Sequence, residues 1–202
     1  MREYPICVGG AWREGRAGTV LAVSPATGEE FASVAVASTA DVDDAVAAAG
    51  AAAPAWAALS AFERAACCQA VADAIDVHAE DLARTLTEDQ GKPLAGEARD
   101  EVSELSGYFR MAAEDATRMA GGAPPSTSPS RRVLTVAVPL GVVGVISPWN
   151  WPYTMGAELF APAMAAGNTV VWVPAPTTSA CCALLAEVIT GAGIPALSLI
   201  HI

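Results

Sequence analysis

The chain has 202 residues, of which 53% are hydrophobic and 16% charged, and its formal net charge is -11. So much apolar material excludes a disordered chain, and the acidic balance disfavours nucleic acid and anionic membrane surfaces, both of which select basic patches. Five cysteines, Cys7, Cys67, Cys68, Cys181 and Cys182, fit neither a zinc spacing nor a disulfide framework.

The pattern therefore predicts a reducing cytoplasm, with the thiols packed as small hydrophobes. The opening Met1-Arg-Glu-Tyr-Pro has no apolar run and shows no secretory signal. Residues 133–186 carry one charge, Glu158, which raises the question of a membrane span. Pro139, Pro148, Pro152, Pro162, Pro174 and Pro176 cut that stretch into short Val- and Ile-rich pieces. Such pieces read as parallel strands covered on both faces.

In chain order, residues 5–37 alternate apolar and turn residues, with tight turns at Val8-Gly-Gly-Ala-Trp12 and Ser24-Pro-Ala-Thr-Gly28. A helix is predicted from Ser38-Thr39, with Asp41, Asp43 and Asp44 near the favourable end of its dipole. Ser60-Ala-Phe-Glu63 is a capping box that opens a second helix. A third runs from about Ala79 and stops at Gly91, ahead of Pro93. A fourth runs from about Leu94 to Met119, with Glu97, Arg99, Asp100, Glu101 and Glu104 as a solvated face. The linker Ala123-Pro-Pro-Ser-Thr-Ser-Pro-Ser130 follows.

After it come a predicted strand over 131–139 and a buried strand over 141–147, then a helix over 153–166. A second buried strand over 169–173 and a helix over 177–190 complete the series. This βαβα order predicts a parallel unit with helices on its faces. The expected organisation is 1–122 as short strands then helices of a cofactor-binding domain, and 123–140 as linker and bridging strand. Residues 141–196 would be the βαβα part of a dinucleotide-binding sheet.

The most informative stretch is Pro139-Leu-Gly-Val-Val-Gly-Val-Ile-Ser-Pro-Trp-Asn-Trp-Pro152. It places one amide, Asn150, at the carboxyl end of a buried strand, just before a helix. Open α/β sheets bind ligands at that position. On pattern alone Asn150 is either a candidate electrophile or an ordinary turn residue. Trp149 and Trp151 on either side favour a pocket wall over a plain loop. Pro152 suits the first helical position, and Gly167 the residue just past the helix end.

These segments, with Ala161-Pro-Ala-Met-Ala-Ala-Gly-Asn-Thr-Val-Val171 and Ala192-Gly-Ile-Pro195, resemble the aldehyde dehydrogenase superfamily. Ala53-Pro-Ala-Trp56, Arg64 and Gly91-Lys-Pro93 fall in the family's order, so the resemblance covers about residues 4–196. It implies an α/β fold with a Rossmann-like parallel sheet, here incomplete, and an N-terminal helical layer. It also implies NAD(P)-dependent oxidation of a small-molecule aldehyde to an acid through a cysteine thiohemiacetal. By resemblance Asn150 donates to the oxyanion, Ile146, Ser147, Pro148 and Trp149 run along the cofactor, and Met155 lines the substrate tunnel. The resemblance further implies a homodimer or homotetramer, bridged through the strand over 131–139.

Two departures stand out. The family's strand after Gly167-Asn168 ends Lys-Pro-Ser-Glu, whose Lys and Glu hold the adenosine ribose, whereas the chain reads Val173-Pro174-Ala175-Pro176. Leu159 stands where the family has a lysine, and Lys92 is the only lysine in the chain. A valine cannot pair with a 2′-phosphate, so NAD is expected over NADP. None of the five cysteines matches the family's nucleophile, whose place, with that of the general base, lies further downstream. No metal site is expected, and Glu158 is expected to be a partly buried helix residue. The alternatives are a non-catalytic binding or assembly protein on the same fold, and an acyl-phosphate or acyl-thioester reductase, which would lack the Pro-Trp-Asn loop. Finally, Leu197-Ser-Leu-Ile-His-Ile202 is the in-frame translation of CTG TCT CTT ATA CAC ATC, the transposase end used in fragment-library adapters. Those six residues are expected to be adapter-derived, the chain without them being an inactive piece of a longer enzyme.

Overall fold

A computed structural model describes residues 1–195 and the backbone of 199–201. The N-terminal strands are β1 (Arg2–Tyr4), β2 (Ile6–Val8), β3 (Ala11–Arg13), β4 (Thr19–Val23) and β5 (Glu30–Ala35). Four helices follow: α1 (Thr39–Ala57), α2 (Ala61–Val77), α3 (Ala79–Gln90) and α4 (Arg99–Ala116). The remaining elements are β6 (Val142–Ile146), α5 (Thr154–Ala165), β7 (Thr169–Val173), α6 (Ser179–Gly191) and β8 (Leu199–His201). Among the described residues one sheet has the order β3-β2-β8-β7-β6 and a smaller one the order β1-β5-β4. β6 and β7 run parallel, pairing Val142 with Thr169 through Ile146 with Val173, as the βαβα pattern requires.

Both faces of β7 are covered. Val170, Trp172 and Val145 join the large core formed with α2, α4, α5 and α6. Val171 packs on the other face against Ala45 and Ala49 of α1, with Val142 and Val173 beside it. Burial on both sides explains the unbroken apolar run of β7, whereas β6, expected to be buried as well, ends the described sheet with only Val145 buried and with Gly144 and Ile146 exposed. Val71, Leu86, Phe109 and Phe160 lie in the same core as Val170, so the residues before and after the linker bury their apolar faces against one another.

Helix starts follow the predicted caps. Ser38 and Ser60 each close a capping box, with Asp41 and Glu63. Asp41 also accepts from Arg13 at 2.6 Å and from the Arg16 N–H at 3.0 Å, so it ties β3 and the following turn to α1. Burial alone would raise its carboxyl, but these donors and Ser38 outweigh that and hold it well below the usual carboxylate range.

Several expectations need correction. Residues 131–139 form no strand: Thr135 makes an isolated bridge to Gly122, and no other pairing is described for them. Val-rich sequence favours an extended chain, but a strand needs a neighbour to take its hydrogen bonds, and among the described residues none lies alongside beyond the Gly122 bridge. The fourth helix does not run unbroken from Leu94. Ala95 and Gly96 leave helical geometry in a wide turn over Leu94–Ala98 before α4 begins. Pro152 lies in the turn ahead of α5 rather than at its first position, and Pro176 opens a short 3-10 turn before α6. The expected adapter-derived residues 197–202 fall largely outside the described residues, and the backbone pairing of 199–201 does not bear on their origin.

Candidate functional site

The loop after β6 is fixed to the sheet at its first residue. Ser147 is buried, its N–H donates to the Val173 carbonyl at 3.2 Å, and its hydroxyl accepts from the Trp172 indole at 2.8 Å. The chain then surfaces. Ile146 is 80% exposed and Trp149 61% exposed, and Asn150 is exposed between Trp149 and the half-buried Trp151. No hydrogen bond to the Asn150 side chain is described, so its amide is free to donate outward.

The loop backbone, by contrast, is held from below. Gln90, the last residue of α3, donates to the carbonyls of Trp149 at 2.6 Å and Asn150 at 3.0 Å. Lys92 donates to the same Asn150 carbonyl at 3.1 Å and lies 3.9 Å from the centre of the Trp151 ring. Its ammonium also pairs with Glu101 at 2.5 Å. The other Glu101 oxygen accepts from the backbone N–H groups of Tyr153 at 2.9 Å and Thr154 at 3.3 Å. These are the unpaired donors at the start of α5, where a carboxylate is favoured.

Local sequence explains how Lys92 and Glu101 meet. Gly91 adopts φ 80° as α3 ends, and a Cβ there would lie 2.8 Å from Pro25. Only glycine combines that left-handed turn with so close an approach. The wide turn over Leu94–Ala98 then folds the chain back, which brings Glu101 in the first turn of α4 beside Lys92.

α5 is secured at its far end too. Trp56 donates to the Met164 carbonyl at 3.0 Å and Arg64 to the Ala165 carbonyl at 2.9 Å. Gly167 takes φ 92°, and Asn168 accepts from the N–H groups of Leu140 at 2.7 Å and Gly141 at 3.0 Å. The start of β6 is thereby registered against β7, so Asn150 sits on a strand and a helix that are both fixed.

The structure separates the other sequence-derived candidates. Ile146 shares the sheet face of Val173 by register. Val173, Pro174 and Pro176 line an apolar cleft of about 320 Å³ with Val20, Val34 and Val42, and no residue lining it is charged. Ala175, between Pro174 and Pro176, caps the short 3-10 turn. Pro148 is exposed, and Met155, in the first turn of α5, donates its N–H to the Trp151 carbonyl at 3.0 Å. Glu158 is exposed rather than partly buried, and accepts from Tyr108. Leu159 is half exposed on the same helix.

Cys181 and Cys182 are fully buried, and burial pushes the Cys181 thiol well up. Burial likewise raises Cys68 to about 12. A thiol raised in this way is inert rather than nucleophilic. Among the described residues no cluster of His, Cys, Asp or Glu could hold a metal ion, and no helix is long and apolar enough to cross a membrane.

The sequence reading placed Glu101 on a solvated face. The structure buries it completely, as the counter-ion of the one lysine. Gln90 was also missed. The available signal was the isolation of Lys92: a single lysine next to a helix-ending glycine, in a chain otherwise using arginine as its cation.

Parallel strands with helices packed on them, and an exposed amide beyond the carboxyl end of β6, define an α/β protein. The family model "Aldehyde dehydrogenase family" matches residues 12–201, and the chain belongs to the aldehyde dehydrogenase family. It is 38% identical over 190 residues to the glutarate-semialdehyde dehydrogenase of Pseudomonas putida, covering 94% of this chain and 39% of that protein. It is 37% identical over 190 residues to the NADP(+) succinate-semialdehyde dehydrogenase GabD of Escherichia coli, with the same coverage of each. The crystal structure of an aldehyde dehydrogenase from Brucella melitensis biovar abortus superposes with a TM-score of 0.95 at 34% identity, over 98% of this chain and 41% of that one. PnpE in complex with nicotinamide adenine dinucleotide superposes with a TM-score of 0.94 at 33% identity, over 98% and 41%. The chain thus spans about two-fifths of the length of the proteins it matches.

Proposed function

We propose that the complete protein oxidises an aldehyde to a carboxylic acid with a nicotinamide cofactor, and that Asn150 donates its side-chain N–H to the oxyanion formed when a cysteine adds to the carbonyl. One observation carries this reading: the Asn150 amide is exposed and unoccupied while its own carbonyl is gripped by Gln90 and Lys92. A donor whose backbone is fixed before the reaction begins has less to reorganise as negative charge develops. The nucleophilic cysteine and the general base belong to parts of the relatives' length that this chain does not span. The buried Cys181 and Cys182 do not serve in that role.

The cofactor supplies a hydride acceptor when bound. Exposed Ile146 and Trp149 offer apolar surface to the flat nicotinamide ring. Val173, Ala175 and Pro176 offer side chains that neither donate to a ribose hydroxyl nor neutralise a 2′-phosphate. That composition supports NAD over NADP, although relatives of both kinds are known: one relative's name carries NADP(+) and one neighbour's structure holds nicotinamide adenine dinucleotide. Similarity to glutarate- and succinate-semialdehyde dehydrogenases makes a small semialdehyde the substrate class to try first. Five free thiols support a reducing, cytoplasmic setting. The uncovered apolar arm over 131–140 supports assembly as a dimer or tetramer.

The test is N150A in the complete protein, assayed with NAD and semialdehydes. The expected loss is about 10²–10³-fold in kcat. Unchanged turnover would reject Asn150 as the donor.

A further inference from the structure

We propose that the buried Lys92–Glu101 pair is a positioning device for the Asn150 amide, Lys92 and Glu101 being positioning residues that touch neither aldehyde nor cofactor. The inference rests on Asn150 as oxyanion donor and assigns what holds it.

Lys92 is 8% exposed and Glu101 0% exposed. An ammonium has three donors and no acceptors. Two reach Glu101 at 2.5 Å and the Asn150 carbonyl at 3.1 Å, and the charge lies 3.9 Å from the centre of the Trp151 ring. Glu101 spends its second oxygen on Tyr153 and Thr154, at the start of α5. One buried ion pair thus holds residue 150, residue 151 and the first turn of the next helix. Asn150 is bracketed between a carbonyl pinned by Lys92 and a helix start pinned by Glu101.

Two details favour a positioning role over a packing role. A buried pair often adds little net stability compared with apolar residues of equal volume, so packing alone would be met more simply by an aliphatic pair. The pair is also aimed at the polar backbone of the loop, and Gln90 duplicates the grip from α3 at 3.0 Å. Apart from two histidines, arginine supplies every other basic side chain, yet this place has the compact ammonium, whose donors can point at a carboxylate, a carbonyl and a ring at once. A planar guanidinium, with its donors in a rigid fork, is not interchangeable with it.

The test is a double-mutant cycle in the complete protein with NAD and a saturating semialdehyde. K92M is expected to lower kcat about 10–100-fold, the scale of a misplacement near 1 Å, with KM for aldehyde and NAD changed less than about 3-fold. K92M/N150A is expected to match N150A, because Lys92 acts only through Asn150. If the two losses multiply, or K92M turns over like the wild type, the inference is wrong while Asn150 keeps its role. If N150A itself is silent, the donor reading falls and takes the inference with it. E101Q keeps an acceptor for Tyr153 and Thr154 and takes the place of K92M should that variant not fold, with the same pattern expected.

The single lysine allows a further check on the unaltered 202-residue chain. Acylation by an N-hydroxysuccinimide ester, read by mass spectrometry, should label Lys92 at least about 100-fold more slowly in the folded chain than in urea, since reaction needs the pair to open. Equal rates would overturn the proposal.

Discussion

The loop over 147–151 and the arm over 131–140 both present large apolar side chains to solvent, but their backbones are held in opposite ways. In the loop, the Ser147 N–H and the Trp149 and Asn150 carbonyls all have partners, and a buried ion pair lies beneath. In the arm, Leu134, Val136, Val138 and Leu140 are between 73% and 91% exposed, and Gly122 is the one bridge partner described. Exposed apolar residues on a fixed backbone make a surface ready for a small ligand. The same residues on an unpaired backbone make a strand edge that another strand can complete. The number of exposed apolar side chains does not separate these two cases, whereas the destination of the backbone hydrogen bonds does.

The comparison can be broken most forcefully at Glu101. E101A leaves Lys92 charged and buried without its counter-ion, and is expected to cost roughly 3–5 kcal/mol, read as a lower urea midpoint of the 202-residue chain. A loss under about 1 kcal/mol would mean the loop is not held as described.

A smaller effect is expected at Asp89, which caps the start of α6 by accepting from the Cys181 N–H at 2.8 Å. Burial raises its carboxyl despite that donor. The ionised form therefore costs the folded state. This cost is absent at pH below the ordinary value of 3.8 and grows as pH rises towards the raised folded value. D89N is expected to flatten the dependence of the urea midpoint on pH across that window. An unchanged slope would assign it to other groups.

The smallest effect on the isolated chain is expected in the arm. L134D/V136D should change its stability by no more than about 0.5 kcal/mol, because both side chains are three-quarters exposed. In the complete protein the same pair should shift the sedimentation coefficient towards monomer. Stability falling in the isolated chain, with assembly unchanged, would reverse the contrast between arm and loop.

Much of the scaffold was legible because its signals are local. Ser38 and Ser60 mark helix starts through their own side chains, and Gly91 and Gly167 mark helix ends through backbone conformations that other residues rarely adopt. The valine run of β7 reads as a buried strand because both its faces are covered, whereas the similar run of β6 lies at the edge of the described sheet and leaves Ile146 exposed. The arm was misread for the complementary reason: valine and threonine at alternating positions favour an extended chain, but pairing depends on a neighbour that local pattern does not contain.

The sequence by itself determined the order of strands and helices, the position of Asn150 at a strand's end, and the absence of a side-chain cation or carboxylate at residues 173–176. Each of these depends on residue identity or on neighbours within a few positions. Only the tertiary structure decided that Glu101 is buried and faces Lys92, that Trp56 and Arg64 close the far end of α5, and that Ser147 is occupied by Trp172. Trp56 and Arg64 join parts of the chain 108 and 101 residues apart. Glu101 lies only 9 residues from Lys92, but a kinked turn and the burial of α4 choose its side. A charged residue on an amphipathic helix looks alike whether it faces water or a single buried cation, and the packing of the helix makes that choice.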